Sequence, residues 1–240
     1  MTRLFFKSLL LATGNRGKYR EFLDLLPPSV MGELLFAPDA LGRKAARQDL
    51  GENGLDVKKS SGEKSSGENF TVGNFTVEET GSTYAMNAFL KAQGWALASG
   101  LPSLGDDSGI EVEALSWAPG VRSARIVEGS DADRNRWLLS QMDKLEKMNT
   151  GENSRRARFV AAVALSVPFS PAEGEWTIIC EGACDGHLGE REAGGHGFGY
   201  DSIFIPDGYD VSFGELPSAV KNKISHRAKA VQALVEILLS

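Results

Sequence analysis

The chain has few of the residues that cross-link small or secreted folds. Only two of its 240 residues are cysteine and three are histidine. Cys180 and Cys184 are too few for a disulfide framework or a zinc site, so we expect a reduced, cytoplasmic protein. No apolar run is long enough to span a bilayer. The N-terminal apolar residues are interrupted at Lys7 and Ser8 and lack a signal-peptide cleavage pattern.

An excess of basic charge is also missing. There are 26 lysines and arginines against 32 aspartates and glutamates, giving a net charge of −6. This balance argues against a broad nucleic-acid surface and against an anionic membrane partner. A small basic pocket for a phosphorylated ligand remains compatible with it. At this length the chain can bury a sufficient core without a disulfide or a structural metal.

Strand and helix patterns follow each other without a regular repeat. Strands are predicted at residues 9–12, within 30–37, and in two long segments, RARFVAAVALSV and WTIICEGAC, which form a hairpin. Helices are predicted at 17–26, 80–99 and 131–148, and from Ser225 to the C-terminus. The mixture indicates an α/β or α+β fold with a mixed sheet.

Residues 51–77 differ in composition from the rest of the chain. The segment repeats KSSGE and NFTV and is dominated by serine, glycine and glutamate. It has little apolar surface to bury, so we predict a flexible insertion within a single domain spanning residues 1–240.

A polar turn, TGNRGK, separates the first strand from the first helix. Thr13, Gly14, Asn15 and Lys18 would offer an anion free backbone amides, the positive end of a helix dipole and one cation. The alternative is an ordinary polar turn, because asparagine and glycine favour turns.

Acidic residues form a second candidate group, consisting of Glu78, Glu79, Asp106 and Asp107. The stretch LGDDSGIEV, which also contains Ser108, is predicted as strand, acidic turn and strand. Carboxylate oxygens of this kind suit Mg²⁺, which takes one or two carboxylates together with substrate phosphates. An aspartate-rich turn without a metal is the open alternative.

Basic residues cluster at the start of the last helix. Ser225 is the predicted N-cap, His226 and Arg227 lie in the first turn, and Lys221 precedes them. Cations at a helix N-terminus oppose the dipole, which indicates an anionic or hydrogen-bond-accepting ligand. Side chains that simply reach solvent are the alternative.

The glycine-rich stretch GFGYD is a further candidate for ligand binding. Phe198 and Tyr200 could stack on a base, Gly199 allows a close backbone approach, and Asp201 follows. Taken alone, such a loop is a weak signal.

The order of these motifs along the chain is more informative than any one of them. It resembles the inosine triphosphate pyrophosphatase family over nearly the whole chain apart from residues 51–77. The segments that carry the resemblance are ATGNRGK, EETGSTYAMNAFLKA, DDSGIEVEAL, APGVRSARI, ARFVAAVAL, CEGACDG, GFGYDSIF and ELPSAVKNKISHRAKA.

The resemblance implies a Mg²⁺-dependent hydrolysis of ITP, dITP and XTP to the monophosphate and pyrophosphate. It implies an α/β fold with an elongated mixed sheet flanked by helices, in two lobes with a central cleft. It also implies a homodimer. Phosphoryl-type transfer relies on positioning and charge stabilisation, so no nucleophilic side chain is required.

Matched motif by motif, the resemblance implies a role for individual residues. Thr13, Asn15 and Lys18 fall in the triphosphate-binding turn. Glu79 matches a metal-binding glutamate and Asp107 the essential aspartate, which binds Mg²⁺ or orients the attacking water, with Asp106 as a supporting neighbour. The positions that match the base pocket are Phe198, Asp201, Lys221, His226 and Arg227.

One departure and two alternatives accompany the resemblance. Met86 stands where the family usually has glutamate, which predicts weaker metal binding. A Maf-like pyrophosphatase acting on pyrimidine nucleotides is disfavoured by the opening turn and by Ser225-His226-Arg227. A non-catalytic purine-nucleotide sensor is disfavoured by Glu79, Asp107 and Lys18, and it would bind ITP without releasing pyrophosphate.

Overall fold

The computed structural model describes residues 4–40, 68–72, 75–148, 154–170 and 174–240. The helices in these ranges are α1 (Arg16–Leu25), α2 (Tyr84–Ser99), α3 (Asp131–Lys147), α4 (Ser218–Ile224) and α5 (His226–Leu239). The strands are β1 (Phe6–Leu11), β2 (Met31–Phe36), β3 (Glu68–Val72), β4 (Phe75–Glu79), β5 (Ser103–Val112), β6 (Ala118–Pro119), β7 (Arg156–Ser170), β8 (Gly174–Leu188) and β9 (Phe204–Pro206). Each helix and strand predicted above is present, with boundaries that differ by a few residues, except that the two strands predicted on either side of an acidic turn are one.

The described strands form a mixed seven-stranded sheet and a separate hairpin. The order in the large sheet is β2-β1-β5-β7-β8-β9, and β6 pairs with β5. β1 is parallel to β2 and β5, whereas β7, β8 and β9 continue the sheet in antiparallel pairs. Helices flank this sheet, so the predicted α/β class with a mixed sheet is confirmed.

β5 corrects the prediction of an acidic turn. The stretch from Ser103 to Val112 is one continuous strand, and every residue of it pairs with β7. The turn-forming residues stay extended because a long partner strand satisfies their backbone groups. β1 pairs with only Ser103 and Leu104 of β5. The following residues, Asp106 and Asp107, therefore run past the end of β1, next to the polar turn.

The two largest hydrophobic cores among the described residues lie along the sheet. The first packs α1 and α5 against β1 and β2 and includes Leu104 and Cys180. The second packs α3 against the far end of β5 and includes Ile110 and Cys184. The polar segment of β5 therefore lies between the two cores, which agrees with two lobes and a central cleft. Both cysteines are buried and unbridged.

Two glycines allow helices to lie directly on the sheet. A Cβ atom added at Gly105 of β5 would lie 2.1 Å from the carbonyl oxygen of Ala88 in α2. A Cβ atom at Gly182 of β8 would lie 2.3 Å from the carbonyl oxygen of His226 in α5. Both helices thus approach the strands more closely than any side chain permits, which places α2 and α5 beside the polar segment of β5.

The predicted insertion falls largely outside the described residues. In its C-terminal part, β3 and β4 pair as an antiparallel hairpin that ends at Glu79. The flexibility predicted for residues 51–77 stays a prediction, and residues 51–67 lie outside the described part of the chain. Within the described ranges, no helix combines the length and the apolar character needed to cross a membrane.

Candidate active site

The polar turn after β1 is organised by Asn15, the N-cap of α1. Its Oδ1 accepts hydrogen bonds from the backbone N–H groups of Gly17 (2.7 Å) and Lys18 (3.1 Å). Thr13 Oγ1 accepts from the N–H of Asn15 (3.2 Å). The prediction of free first-turn amides is therefore wrong for Gly17 and Lys18, because the cap already satisfies them.

Two other amides of this turn remain available. In the described part of the chain, no group accepts a hydrogen bond from the N–H of Gly14 or of Arg16. Both lie at the positive end of the α1 dipole, where an anion is favoured. The turn thus keeps the anion-binding character that the sequence indicated, through fewer amides than expected.

Asp106 organises two of the predicted binding cations. It is 2% exposed. Its carboxylate lies 2.8 Å from Lys18 Nζ and accepts from Arg227 Nε (2.9 Å) and Nη2 (3.2 Å). Burial alone would raise the pKa of Asp106, but the Arg227 guanidinium and the Lys18 ammonium together hold it well below its usual range. Ser108, on the same face of β5, also accepts from Arg227 (2.9 Å).

Asp107 points to the opposite face of β5, toward α2. Its carboxylate accepts from Asn87 Nδ2 (3.1 Å) and Lys91 Nζ (3.3 Å), and Lys91 Nζ also donates to Glu79 (2.9 Å). The two predicted metal-binding carboxylates, Glu79 of β4 and Asp107 of β5, thus converge on one point. All four side chains are buried.

Lys91 was missed by the sequence analysis as a site residue. It lies on the buried face of α2 and is 5% exposed. Burial would lower the pKa of Lys91, yet the neighbouring Asp107 and Glu79 carboxylates raise it, so it stays an ammonium ion. A lysine in register with the apolar residues Ala88, Ala92 and Trp95 is the signal that could have identified it.

The carboxylate pair fits a magnesium ion, although it forms no complete cage. Within the described residues there is no cluster of three or more histidine, cysteine, aspartate or glutamate side chains able to hold a metal. Mg²⁺ needs only one or two carboxylates when phosphates and water supply the rest, and Glu79 and Asp107 offer these hard oxygens. Met86 is half exposed and lines neither cavity described below, and its effect on metal affinity stays a prediction.

Phe198 lies beneath two cations on the other side of the cleft. Lys221 Nζ is 5.0 Å and the Arg227 guanidinium carbon 5.6 Å from the centre of its ring. Asp201 is buried and accepts from Lys221 Nζ (2.6 Å) and from the backbone N–H of Phe198 (2.8 Å). Asp201 therefore anchors both the cation and the aromatic ring, and burial raises its pKa despite Lys221.

His226 corrects one premise of the sequence analysis. Its ring stacks on Phe159 with centroids 4.6 Å apart and planes 10° from parallel. Burial and the nearby Arg227 lower the pKa of His226 well below its usual value, so the imidazole is neutral and does not oppose the α5 dipole. Among the described residues its buried Nδ1 has no hydrogen-bond partner, and the residue lines the smaller cavity described below.

Glu21 accounts for the burial of Arg227, the cation that remains in the first turn of α5 once His226 is neutral. Its carboxylate accepts from Lys221 Nζ (2.6 Å) and Arg227 Nη1 (2.5 Å). Burial would raise the pKa of Glu21, but Arg227 and Lys221 lower it below the usual value. The buried arginine is thus satisfied by carboxylates, and its position alone is not evidence for a ligand. Glu21 lies three residues after Lys18 on α1, and its sequence neighbourhood gave no signal.

Two contiguous cavities occupy the cleft. The larger, of about 380 Å³, is lined by Ala12, Thr13, Gly14, Asn15, Lys18, Glu79, Lys91, Asp107, Ser108 and Ala124. The smaller, of about 150 Å³, is lined by Asn15, Lys18, Ser108, Gly109, Ser123, Ala124, Asp131, Arg134, Phe159, Phe198, Gly199, Tyr200, Asp201, Lys221, His226 and Arg227. The predicted site residues therefore lie in one continuous cleft, and Asp131 and Arg134 are additional residues that the sequence analysis missed.

Solved structures share this fold. A HAM1 protein from Coxiella burnetii superimposes with a TM-score of 0.70 at 29% sequence identity, covering 97% of this chain and 98% of that protein. The Ham1 protein of Staphylococcus aureus gives a TM-score of 0.67 at the same identity and coverage. An elongated mixed sheet with flanking helices is thus common to all three.

The sequence comparisons identify the family. The model of the Ham1 family matches residues 9–237. A dITP/XTP pyrophosphatase of Haemophilus influenzae is 37% identical over 231 residues, covering 95% of this chain and 97% of that protein. One of Ruegeria pomeroyi is 37% identical over 238 residues, covering 98% of each. The chain belongs to the Ham1 family, and the resemblance stated from its motifs is confirmed.

Proposed function

We propose that this protein hydrolyses ITP, dITP and XTP to the nucleoside monophosphate and pyrophosphate with the help of Mg²⁺, and so keeps deaminated purines out of DNA and RNA. Family membership and the names of the relatives support the general activity. The observation that carries the proposal is the joining of the two cavities at Asn15, Lys18 and Ser108. One cavity has aromatic walls suited to a base, and the other has the anion-binding turn and the Glu79–Asp107 pair.

The triphosphate would lie along the turn after β1. The free amides of Gly14 and Arg16 and the α1 dipole would receive phosphate oxygens. Lys18 contributes a cation that is only partly buried and, among the described residues, is paired with Asp106 alone. A triphosphate carries enough negative charge to share this ammonium, because Arg227 continues to neutralise Asp106.

Asp107 would bind Mg²⁺ or orient the water that attacks the α-phosphorus. Asn87 fixes one of its oxygens and Lys91 contacts the other. Glu79 and Asp107 would hold Mg²⁺, which supplies charge neutralisation at the phosphates when it is bound. Lys91 keeps both carboxylates turned toward the cleft before the substrate arrives, so the geometry is preorganised.

The smaller cavity would select the base. Hypoxanthine and xanthine carry an oxygen at C6, where adenine carries an amino group. In the tautomer that carries its proton on Nδ1, the unpartnered Nδ1 of His226 would donate to that oxygen, and adenine would leave this buried group unpaired. Polar sites of this kind discriminate by roughly 10⁴-fold.

Pyrophosphate release tests the proposal. We expect wild-type protein with Mg²⁺ to release pyrophosphate rapidly from ITP and slowly from ATP, and Asp107→Asn to lose at least about 10²-fold in kcat, because a positioned proton acceptor contributes about that much. Folded wild-type protein that binds ITP without releasing pyrophosphate would favour a nucleotide sensor instead. Circular dichroism of both proteins confirms that the variant is folded.

Homodimer formation and a cytoplasmic location are part of the same proposal. The resemblance implied the homodimer, and the low cysteine content implied the cytoplasmic location. Light scattering on the purified protein distinguishes a monomer of 25.8 kDa from a particle of twice that mass.

A further inference from the structure

The first turn of α3 contributes two charged side chains to the smaller cavity. Asp131 and Arg134 both line it, together with the aromatic residues that would contact a base. They come from the lobe opposite to α5, whose Arg227 lines the same cavity. A base bound there is therefore reached by guanidinium groups from two separate elements.

Arg134 is held in place but has unused donors. Its Nη2 donates to Asp131 Oδ1 (2.5 Å) and its Nη1 to the carbonyl oxygen of Gly129 (2.9 Å), and its side chain is 17% exposed. A guanidinium has five N–H groups, and the other three have no partner in the described part of the chain. Arg227 differs, since it makes four hydrogen bonds to Glu21, Asp106 and Ser108.

Asp131 fixes the position of Arg134 relative to the glycine-rich stretch at residues 197–201. Its second oxygen, Oδ2, accepts from the backbone N–H of Gly199 (2.7 Å). Asn135, one turn further along α3, donates to the carbonyl oxygen of the same glycine (3.2 Å). Both oxygens of Asp131 are thus already engaged, so the donors of Arg134 and not an acceptor of Asp131 are the groups offered to a ligand.

We propose that Arg134 is a specificity-determining residue that donates hydrogen bonds to the 2-oxo group of xanthine. This inference rests on the function proposed above. Xanthine carries a carbonyl acceptor at C2, hypoxanthine carries only C–H there, and guanine carries an amino donor. Placed at that edge, the unused N–H groups of Arg134 would favour XTP over ITP. They would also oppose the 2-amino group of GTP, whose guanine carries the same C6 oxygen as hypoxanthine and xanthine.

Substrate ratios test this assignment. Arg134→Met removes the donors and keeps most of the side-chain volume. Hydrogen bonds that involve a charged group are worth about 10- to 100-fold in binding, so kcat/KM for XTP should fall by about that factor while the value for ITP changes less than about threefold. Arg136→Met is the matched control, because Arg136 pairs with Asp133 at the same spacing but is exposed.

The possible results separate the two proposals. Wild-type protein that hydrolyses neither ITP nor XTP contradicts the proposed function. Wild-type activity on both, with an unchanged XTP to ITP ratio in Arg134→Met, overturns the role of Arg134 alone. An equal loss for both substrates indicates a structural role and also overturns it. If Arg134→Met does not fold, Arg134→Lys is the second variant, because it keeps the charge but loses the planar donor fork. Its kcat/KM should fall for XTP only, and by a smaller factor. An unchanged XTP to ITP ratio in this variant would also overturn the role of Arg134.

Discussion

Lys91 is a buried cation whose two partners are the residues proposed to bind a metal. Its ammonium lies 2.9 Å from Glu79 and 3.3 Å from Asp107. Removing one member of a buried charged group leaves the rest uncompensated, which is costly. The side chain therefore stabilises the fold and keeps the carboxylates together in the absence of substrate.

Lys91→Met should lower the free energy of unfolding by about 3–5 kcal/mol in the absence of metal. Mg²⁺ should then raise the melting temperature of the variant more than that of wild type, because a dication can replace the missing ammonium between Glu79 and Asp107. Calorimetry with and without Mg²⁺ measures both effects. Lys144→Met, on the exposed face of α3, is the control. An equal rise in melting temperature with Mg²⁺ in Lys91→Met and in wild type would count against this metal site.

Single residues were predicted well where a local motif marks them. Asn15, Asp107 and Arg227 are all marked by sequence motifs, and all three line the cleft. Glu21 and Arg134 were not, because their importance comes from partners that only the folded chain brings near. Arg227, for example, meets Glu21 across more than 200 positions of sequence, and no local pattern records such a pair.

Secondary structure elements position the site through close backbone contacts. Gly105 is the clearest case, because α2 lies directly on β5 at this residue. The packing fixes the distance between Asp107 on the strand and Lys91 on the helix. A side chain here would push the helix away from the strand and would separate the charged groups.

Gly105→Ala should be destabilising by about 1–3 kcal/mol or more, since the new methyl group meets the backbone of Ala88 and Ala92 and not a mobile side chain. Urea unfolding followed by circular dichroism measures this. Gly195→Ala is the comparison, because nothing lies within 4 Å of its added Cβ atom. Equal stability of the two variants would show that α2 can shift without cost.

Most helices and strands were predicted correctly from the periodicity of apolar residues. The turn predicted at residues 106–109 was wrong, because these residues belong to the continuous strand β5. Aspartate, serine and glycine in succession favour a turn, and local propensity was the only guide at 106–109. In the protein, ten consecutive pairs with β7 keep the segment extended, and Arg227 and Lys18 neutralise the buried Asp106. Long-range pairing outweighed local preference, which a single sequence does not reveal.

At the scale of the whole molecule, a buried ionic network joins the parts of the cleft. Glu21 of α1 connects Lys221 of α4 with Arg227 of α5, and Arg227 connects to Asp106 of β5. The pKa values of Glu21 and Asp106 are both lower in the folded than in the unfolded chain. Their stabilisation is therefore complete above the unfolded pKa values and is lost as the pH falls below about 4.

Glu21→Gln should flatten the acid dependence of stability. Below about pH 4 each such carboxylate contributes up to about 1.4 kcal/mol per pH unit to the slope. The variant loses the contribution of Glu21 and keeps that of Asp106. Urea midpoints of wild type and variant between about pH 5 and pH 3 give the two slopes. Glu128→Gln, at an exposed position, is the control, and parallel wild-type and Glu21→Gln slopes would contradict the assignment.

The long hairpin of β7 and β8 has a mechanical consequence for the cleft. β7 contributes Val163 and Leu165 to one core and Ala157 and Phe159 to the other. A hinge between the lobes would have to bend this ladder at its middle and break several of its hydrogen bonds. We therefore expect the hairpin to resist hinge motion between the lobes. A ligand that enters the cleft would then be accommodated by side chains and loops at its rim.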